Sequence, residues 1–225
     1  MPDPAPRHPF AARAGAVVSE RGVDHFGSPL GEQRALAAGR AVVALGDRRV
    51  LCVSGPDRLG WLDSITSQAV GALAAGESAE LLVLDPHGRI EHAAAVVDDG
   101  ATTWLILDAG DAPALLAWLA RMRFRAAVEL RAADELAVLG AVAATGTGPI
   151  PSELVARPNG VPLVWRDPWP GVTAGGWAYA PVEPHPGASR PWIEAIVPVA
   201  ALDELAAGPV AVAGLVAADA LRVAA

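Results

Sequence analysis

Lysine is missing: all 17 basic residues are arginine. This excludes a Schiff-base lysine and the lysine of a phosphate-binding loop. Cysteine occurs once, at Cys52, which excludes an internal disulfide and any zinc site built from several cysteines. Cys52 sits in the apolar run Arg49-Val50-Leu51-Cys52-Val53 and reads as a buried thiol rather than a reactive one. No apolar run approaches the roughly 20 residues of a membrane helix. No early segment carries the sustained apolar core of a signal peptide. A cytoplasmic protein without a membrane partner is the expectation.

Positive charge is also scarce. The formal net charge is −8 at pH 7, which argues against a primary grip on nucleic-acid phosphates. Arg121, Arg123, Arg125 and Arg131 form either a local basic patch or a solvated helix end. The G-x-S-x-G elbow, the G-x-G-x-x-G fingerprint and the H-E-x-x-H pair do not occur. No internal repeat is evident.

What the chain does have is apolar surface to bury. Its 225 residues are 52% hydrophobic, enough for one large domain or two small ones. Residues 1–24, rich in Pro, Arg and Ala, read as a flexible arm. Ser28-Pro29 opens a short helix through Ala38, and Gly39 stops it. Ala41–Leu45 and Arg49–Val53 are strand candidates. Ser54-Gly55-Pro56-Asp57 opens a helix carrying Leu59, Leu62, Ile65 and Ala69.

Two strands near 79–84 and 90–97 flank Asp85-Pro86-His87-Gly88, a turn with a mechanism: Asp-Pro opens it and Gly88 is free to take positive φ. Asp98-Asp99-Gly100 turns the chain into Thr102–Leu107. A helix with Pro113 in its first turn presents Leu115, Trp118, Leu119 and Met122 on one face. Ala126–Leu130 closes the set. Strand, helix, three strands, helix, strand over residues 49–130 is a ferredoxin-like split βαβ pattern with one extra strand.

The remainder is less regular. Glu135–Val142 and Trp192–Val197 read as strands, with shorter candidates at Val161–Trp165 and Gly176–Tyr179. The four prolines between Pro181 and Pro191 dictate an irregular loop. Helices are expected near 199–206 and over Gly214–Ala225. The latter ends with no stop signal, so a domain cut short is the expectation.

The candidate chemistry falls in two places. The 85–92 turn holds Asp85, His87, Arg89, Glu91 and His92. His87 and His92, with Glu91 between them, lack a third convergent metal ligand nearby and read as solvent-facing turn histidines. Strand alternation puts Glu91 and His92 on opposite faces unless the strand is bulged. In the second half, Glu194 lies mid-way along an apolar strand and Arg222 within an apolar helix. Each either faces solvent or points into a pocket, because burying an unpaired charge is costly. A carboxylate accepting two N–H donors suits a 2-amino-oxo heterocycle such as a pterin, and a guanidinium suits a carboxylate or ring oxygen. Seven tryptophans would wall such a flat ring.

Taken in order, His25-Phe26-Gly27-Ser28-Pro29-Leu30-Gly31-Glu32-Gln33-Arg34-Ala35-Leu36, Val53-Ser54-Gly55-Pro56-Asp57-Arg58-Leu59-Gly60-Trp61-Leu62, the Asp85–Glu91 hairpin, the Glu-x-x-Val-Pro run at 194–198 and Ala220-Leu221-Arg222-Val223-Ala224 resemble the YgfZ proteins. These are folate-binding relatives of the glycine-cleavage T-protein, the aminomethyltransferase. The resemblance covers roughly residues 25–225. It implies an α+β fold in which a ferredoxin-like antiparallel unit, 49–130, is inserted in a discontinuous α/β domain made of 25–48 and 131–225. Tetrahydrofolate or a derivative would lie between the two.

Under that resemblance Glu194 matches the glutamate that contacts the pterin, and Arg222 the arginine of the Leu-Arg motif beside the folate. Glu91 and His92 stand where the transferases carry an aspartate. That departure favours the folate-binding branch, whose members support assembly or repair of iron–sulfur enzymes, over a tetrahydrofolate-dependent aminomethyltransferase. The implied partners are folate and iron–sulfur client enzymes or assembly factors. The branch's Lys-Gly-Cys-Tyr-x-Gly-Gln-Glu segment and the C-terminal barrel would lie past residue 225, so a non-catalytic truncated module is the third alternative.

Overall fold

The computed structural model describes residues 9–171 and 186–223. After a 3-10 turn at Pro9–Ala12 its elements run β1 (Val17–Ser19), β2 (Gly22–His25), α1 (Pro29–Ala37), β3 (Val42–Ala44), β4 (Arg48–Ser54), α2 (Arg58–Ile65), β5 (Ser78–Leu84), β6 (Ile90–Asp98), β7 (Thr102–Asp108), α3 (Ala112–Met122), β8 (Glu129–Ala132), β9 (Leu136–Val142), β10 (Val164–Arg166), β11 (Trp192–Pro198), α4 (Val199–Ala207), β12 (Val212–Ala213) and α5 (Leu215–Val223).

One sheet comes from the continuous stretch 48–132, in the order β5-β6-β7-β4-β8, with every pairing antiparallel. Strands β4 and β6 flank β7, while β7 and β8 flank β4. The α3 crossover from β7 to β8 straddles β4, and the α2 crossover from β4 to β5 straddles β7 and β6, which is the ferredoxin-like arrangement with β5 added at the edge. Alternation sorts the side chains. Leu51, Val53, Ala94, Val96, Leu105 and Leu107 pack with Trp61 and Leu62 of α2 and Leu115 and Leu119 of α3. Val50, Cys52, Val97, Trp104 and Ile106 face the other way. Both faces are covered, which is why these strands read as nearly continuous apolar runs.

The second sheet draws on chain from both sides of that stretch, in the order β10-β11-β9-β3-β12. Its outer face buries Leu139, Ala141, Ile193, Ala195 and Val197 against Leu202 and Leu205 of α4. Its inner face contributes Val43, Val138, Trp165 and Ile196 to a core shared with the first sheet. Helices α1 and α5 pack on each other beside that core and add Leu36, Leu215, Ala217 and Leu221 to it. Burying each such leucine contributes about 1.5–3 kcal/mol. The result is a mixed α+β protein of two five-stranded sheets packed face to face, with α2, α3 and α4 on their outer faces and a separate two-stranded β1–β2 sheet.

The helix-start and turn signals have physical counterparts. Pro29 opens α1 after Ser28. At the β5–β6 turn Gly88 takes φ +80. There the Asp85 carboxylate accepts the N–H groups of His87 and Arg89 at 2.7 and 2.8 Å.

The expected flexible arm is packed from Pro9 onward. Phe10 is buried among Val23, Leu202 and Leu205. The Arg13 guanidinium donates to the carbonyls of Leu205, Ala206, Gly208 and Val210. It thereby satisfies carbonyls that the end of α4 leaves open. The expected strand at 126–130 falls at 129–132, and that at 161–165 shortens to 164–166. Gly176–Tyr179 and the prolines between 181 and 185 lie outside the described residues.

Candidate functional site

A cavity of about 420 Å³ opens between the two sheets at the β10–β11 edge. That is within the usual range for small-molecule sites, roughly 300–1,000 Å³. The second sheet supplies Trp165, Trp192 and Glu194, and the first supplies Arg48 and Glu80. Leu215, Ala218, Asp219, Leu221 and Arg222 of α5 form another wall. The sheets are joined at the cavity's base: Trp165 donates Nε1–H to the Ala79 carbonyl at 2.7 Å, and the Arg166 N–H reaches Ser78 Oγ at 2.9 Å.

Glu194 is placed here by strand phase. Its neighbours Ile193 and Ala195 point to the outer core, so Glu194 points inward with Trp192 and Ile196. It is only 6% exposed. The indole of Trp192 donates to its Oε1 at 3.2 Å. No described residue bonds the second oxygen. Burial pushes the Glu194 pKa up; the positive charge of Arg48 and the Trp192 N–H oppose it, while Asp47 and Glu80 add to it. Glu80 is raised as well, by burial and by the negative charge of Asp167.

The arginines around the cavity differ in how far they are already engaged. Arg21 is held by Asp47 at 2.6 Å and Asp219 at 2.9 Å, which ties the β1–β2 turn to the β3–β4 turn and to α5. Arg190 donates to the Leu221 carbonyl. Arg222 is 73% exposed along its side chain, with Asp219 at 3.9 Å, and stands at the cavity's mouth. Arg48 lines the cavity, makes no ion pair or hydrogen bond through its guanidinium among the described residues, and has a buried Nε without a described partner.

Glu194 and Arg222, the two charges singled out in the second half of the sequence, thus share one cavity. Glu91 and His92 do not line it. Opposite Val83 and Leu84 the β6 register slips by one residue, so Glu91 is the extra residue of a bulge and is exposed. His92 falls in phase with Ala94 and Val96, on the helix-covered face, where its Nδ1 lies 2.7 Å from Asp111 at the start of α3. The expected folate contacts at Glu91 and His92 are therefore not among the residues lining this cavity.

Arg48, Glu80, Trp165 and Trp192 were not singled out as site residues. One signal was available for Arg48: it is in phase with Val50 and Cys52, which face the inter-sheet core. Among the described residues no group of three His, Cys, Asp or Glu side chains is arranged to hold a metal ion. Likewise no described helix is long and apolar enough to cross a membrane.

The fold is similar to that of part of an aminomethyltransferase. The structure resembles the glycine cleavage system aminomethyltransferase T from Bartonella henselae with a TM-score of 0.68 and 19% sequence identity. The match covers 95% of this chain and 60% of that one, so this chain spans less than two thirds of that protein's length. No family model and no curated protein matches the sequence. At this identity the likeness defines the architecture, and the chemistry of the cavity has to be argued from its own residues.

Proposed function

We propose that this chain is a tetrahydrofolate-binding protein of the YgfZ kind that supports assembly or repair of iron–sulfur enzymes. In this reading 49–130 is a ferredoxin-like unit inserted in a discontinuous domain of 25–48 and 131–225, and folate occupies the cavity between them. The observation that carries it is Glu194: a carboxylate 6% exposed, aimed into a cavity of ligand size, with one oxygen that no described residue bonds. A buried carboxylate so placed is costly unless N–H donors meet it. The 2-amino and ring N–H groups of a pterin are such donors. Trp165, Trp169 and Trp192 line the same space and supply apolar faces for a flat ring. Arg222, at the mouth, is in position for an anionic tail.

The aminomethyltransferase alternative has less support from the geometry. His92, where the resemblance puts the transferase aspartate, is engaged by Asp111 on the helix-covered face. A one-carbon transfer assay with tetrahydrofolate and an aminomethyl donor is expected to show no turnover.

Calorimetric titration of tetrahydrofolate into the chain tests the binding reading. Glu194→Ala should weaken binding by roughly tenfold or more, as expected for loss of a charged hydrogen-bond partner. Arg222→Ala should have a smaller effect, because an exposed charge is worth less. Wild-type binding that neither substitution weakens would show the site to be misplaced. The accessory role is tested by deleting the gene and measuring iron–sulfur enzyme activity in extracts. Unchanged activities would refute that part alone.

A further inference from the structure

We infer that Arg48 is a specificity residue of the cavity: it receives an oxo oxygen on the same ring whose N–H donors meet Glu194. This rests on the folate-binding reading and defines the ligand as an oxo-bearing ring.

Three observations converge on it. Arg48 opens β4 with its side chain on the inter-sheet face, in phase with Val50 and Cys52, and it lines the cavity. Its Nε is buried and is the one buried side-chain nitrogen or oxygen without a partner among the described residues. Donors of this kind are almost always satisfied in folded proteins, and the side chain that carries this one lines the cavity, where the guanidinium can meet an acceptor brought from outside. Finally, Glu194 shares the cavity, and no described residue bonds its second oxygen. The other arginines are engaged or exposed: Arg21 by Asp47 and Asp219, Arg190 by the Leu221 carbonyl, Arg222 at the mouth.

An unpaired guanidinium donor and an incompletely bonded carboxylate in one cavity read a ligand edge with complementary pattern, N–H donors beside an oxygen acceptor. A 2-amino-4-oxo ring carries that edge. A guanidinium also rejects ring substituents that donate, since two donors facing each other leave both unsatisfied. Arg48 is half-buried, with its Nε closed off, and Arg222 is exposed, so the two arginines divide the work. Arg48 reads the ring, and Arg222 meets what trails from it.

The test uses the whole chain, tetrahydrofolate as probe, calorimetry for affinity and thermal melting of the ligand-free protein. Arg48→Met should bind roughly tenfold to hundredfold more weakly, the loss expected for a charge-assisted hydrogen bond. Its ligand-free form should melt no lower than wild type, because an unsatisfied buried donor has been removed. A structural arginine would behave in the opposite way, lowering the melting temperature and leaving affinity intact. Arg48→Lys keeps the charge but lacks the Nε donor and the planar fork. It should fold normally and bind at least about fivefold more weakly than wild type. Wild-type affinity in folded Arg48→Lys overturns the assignment and leaves the folate reading standing. Absence of tetrahydrofolate binding by the wild-type chain overturns both.

Discussion

The ring of Trp192 lies over the backbone of Gly140. In the β9–β11 ladder Gly140 is paired with Glu194, and a Cβ built on Gly140 would stand 2.4 Å from Cζ2 of Trp192 and 2.7 Å from Cη2. The same indole donates to Glu194. A missing side chain on one strand therefore makes room for the ring that orients the cavity's carboxylate on the next.

Gly140→Ala is predicted to displace that ring. Neither contact is tolerable, and the Trp192 ring is rigid, so the strand or the χ angles of Trp192 must shift. Overpacking of this sort costs about 1–3 kcal/mol. Melting should detect the loss, and tetrahydrofolate affinity should fall with it. Trp192→Phe leaves space over Gly140 but removes the N–H to Glu194. It should therefore weaken binding with little loss of stability in the pairing of the two strands. If Gly140→Ala binds as wild type does, the indole is not what orients Glu194.

Glu194 carries a pH prediction. Its folded pKa is raised, chiefly by burial. A raised carboxylate favours the protonated folded form, so its contribution is most favourable below the unfolded value, about 4.3, and declines as pH rises through the folded value. Glu194→Gln should remove that decline and raise the melting temperature at neutral pH. Ligand N–H donors favour the ionised form, so binding near or below the folded pKa should release protons. Calorimetry in buffers of different ionisation enthalpy measures the number released. Uptake instead of release would contradict the donor pairing.

Much of this architecture was legible from pattern, because the strands of the first sheet are long and bounded by turn residues. Thr102–Leu107 and the Asp85-Pro86-His87-Gly88 turn announce themselves within a few residues. Glu194 was legible for the same reason: a lone charge in Trp192–Val197 is conspicuous. The packing of residues 9–24 was not. Arg13 meets carbonyls more than 190 positions away in sequence, and β1 is exposed throughout. The phase of the strand end before His92 was hidden for a local reason, a one-residue bulge at Glu91 that alternation in the sequence does not announce. Arg48 was hidden by Arg49 beside it, since only the packing shows which of two adjacent arginines turns inward.

The Asp98-Asp99-Gly100 turn is predicted to be an acid-sensitive fastener. Arg58 pairs with Asp98 through two bonds of 2.9 and 2.8 Å, and Asp98 also accepts from Thr103 at 2.6 Å. For Asp99, burial alone would raise the pKa. Hydrogen bonds from Asn159, Trp104 and the backbone of Ala101 and Thr102 outweigh it and hold the value below the usual range. A lowered carboxylate stabilises the fold above its unfolded pKa, about 3.9, and that stability is lost as pH falls through the folded value. Asp99→Ala should cost about 2–4 kcal/mol at neutral pH, as its donors are left unpaired. Urea unfolding at pH 7 and pH 3 should show the mutational cost shrinking on acidification. Asp98→Ala, which strands the Arg58 charge, should cost about 3–5 kcal/mol.

Glu32 is predicted to set the position of the wall that carries Arg222. Although it belongs to α1, its carboxylate is buried and serves three backbone donors from two distant segments. One oxygen accepts from Phe26 at 2.9 Å and Ser28 at 3.1 Å, and the other accepts from Gly214 at 2.9 Å, immediately before α5. Helix α5 lines the cavity with Leu215, Ala218, Asp219, Leu221 and Arg222. Glu32→Ala leaves those N–H groups without an acceptor and should destabilise the chain by about 2–4 kcal/mol. Glu32→Gln offers one acceptor oxygen and sets an NH2 group against the remaining donors, so it should recover only part of the loss. Because α5 is fixed at its start by this carboxylate, both variants should also weaken tetrahydrofolate binding, although Glu32 does not line the cavity. A variant that melts lower yet binds with wild-type affinity, measured well below its melting temperature, would show that α5 holds its place through packing with α1 and the inter-sheet core alone.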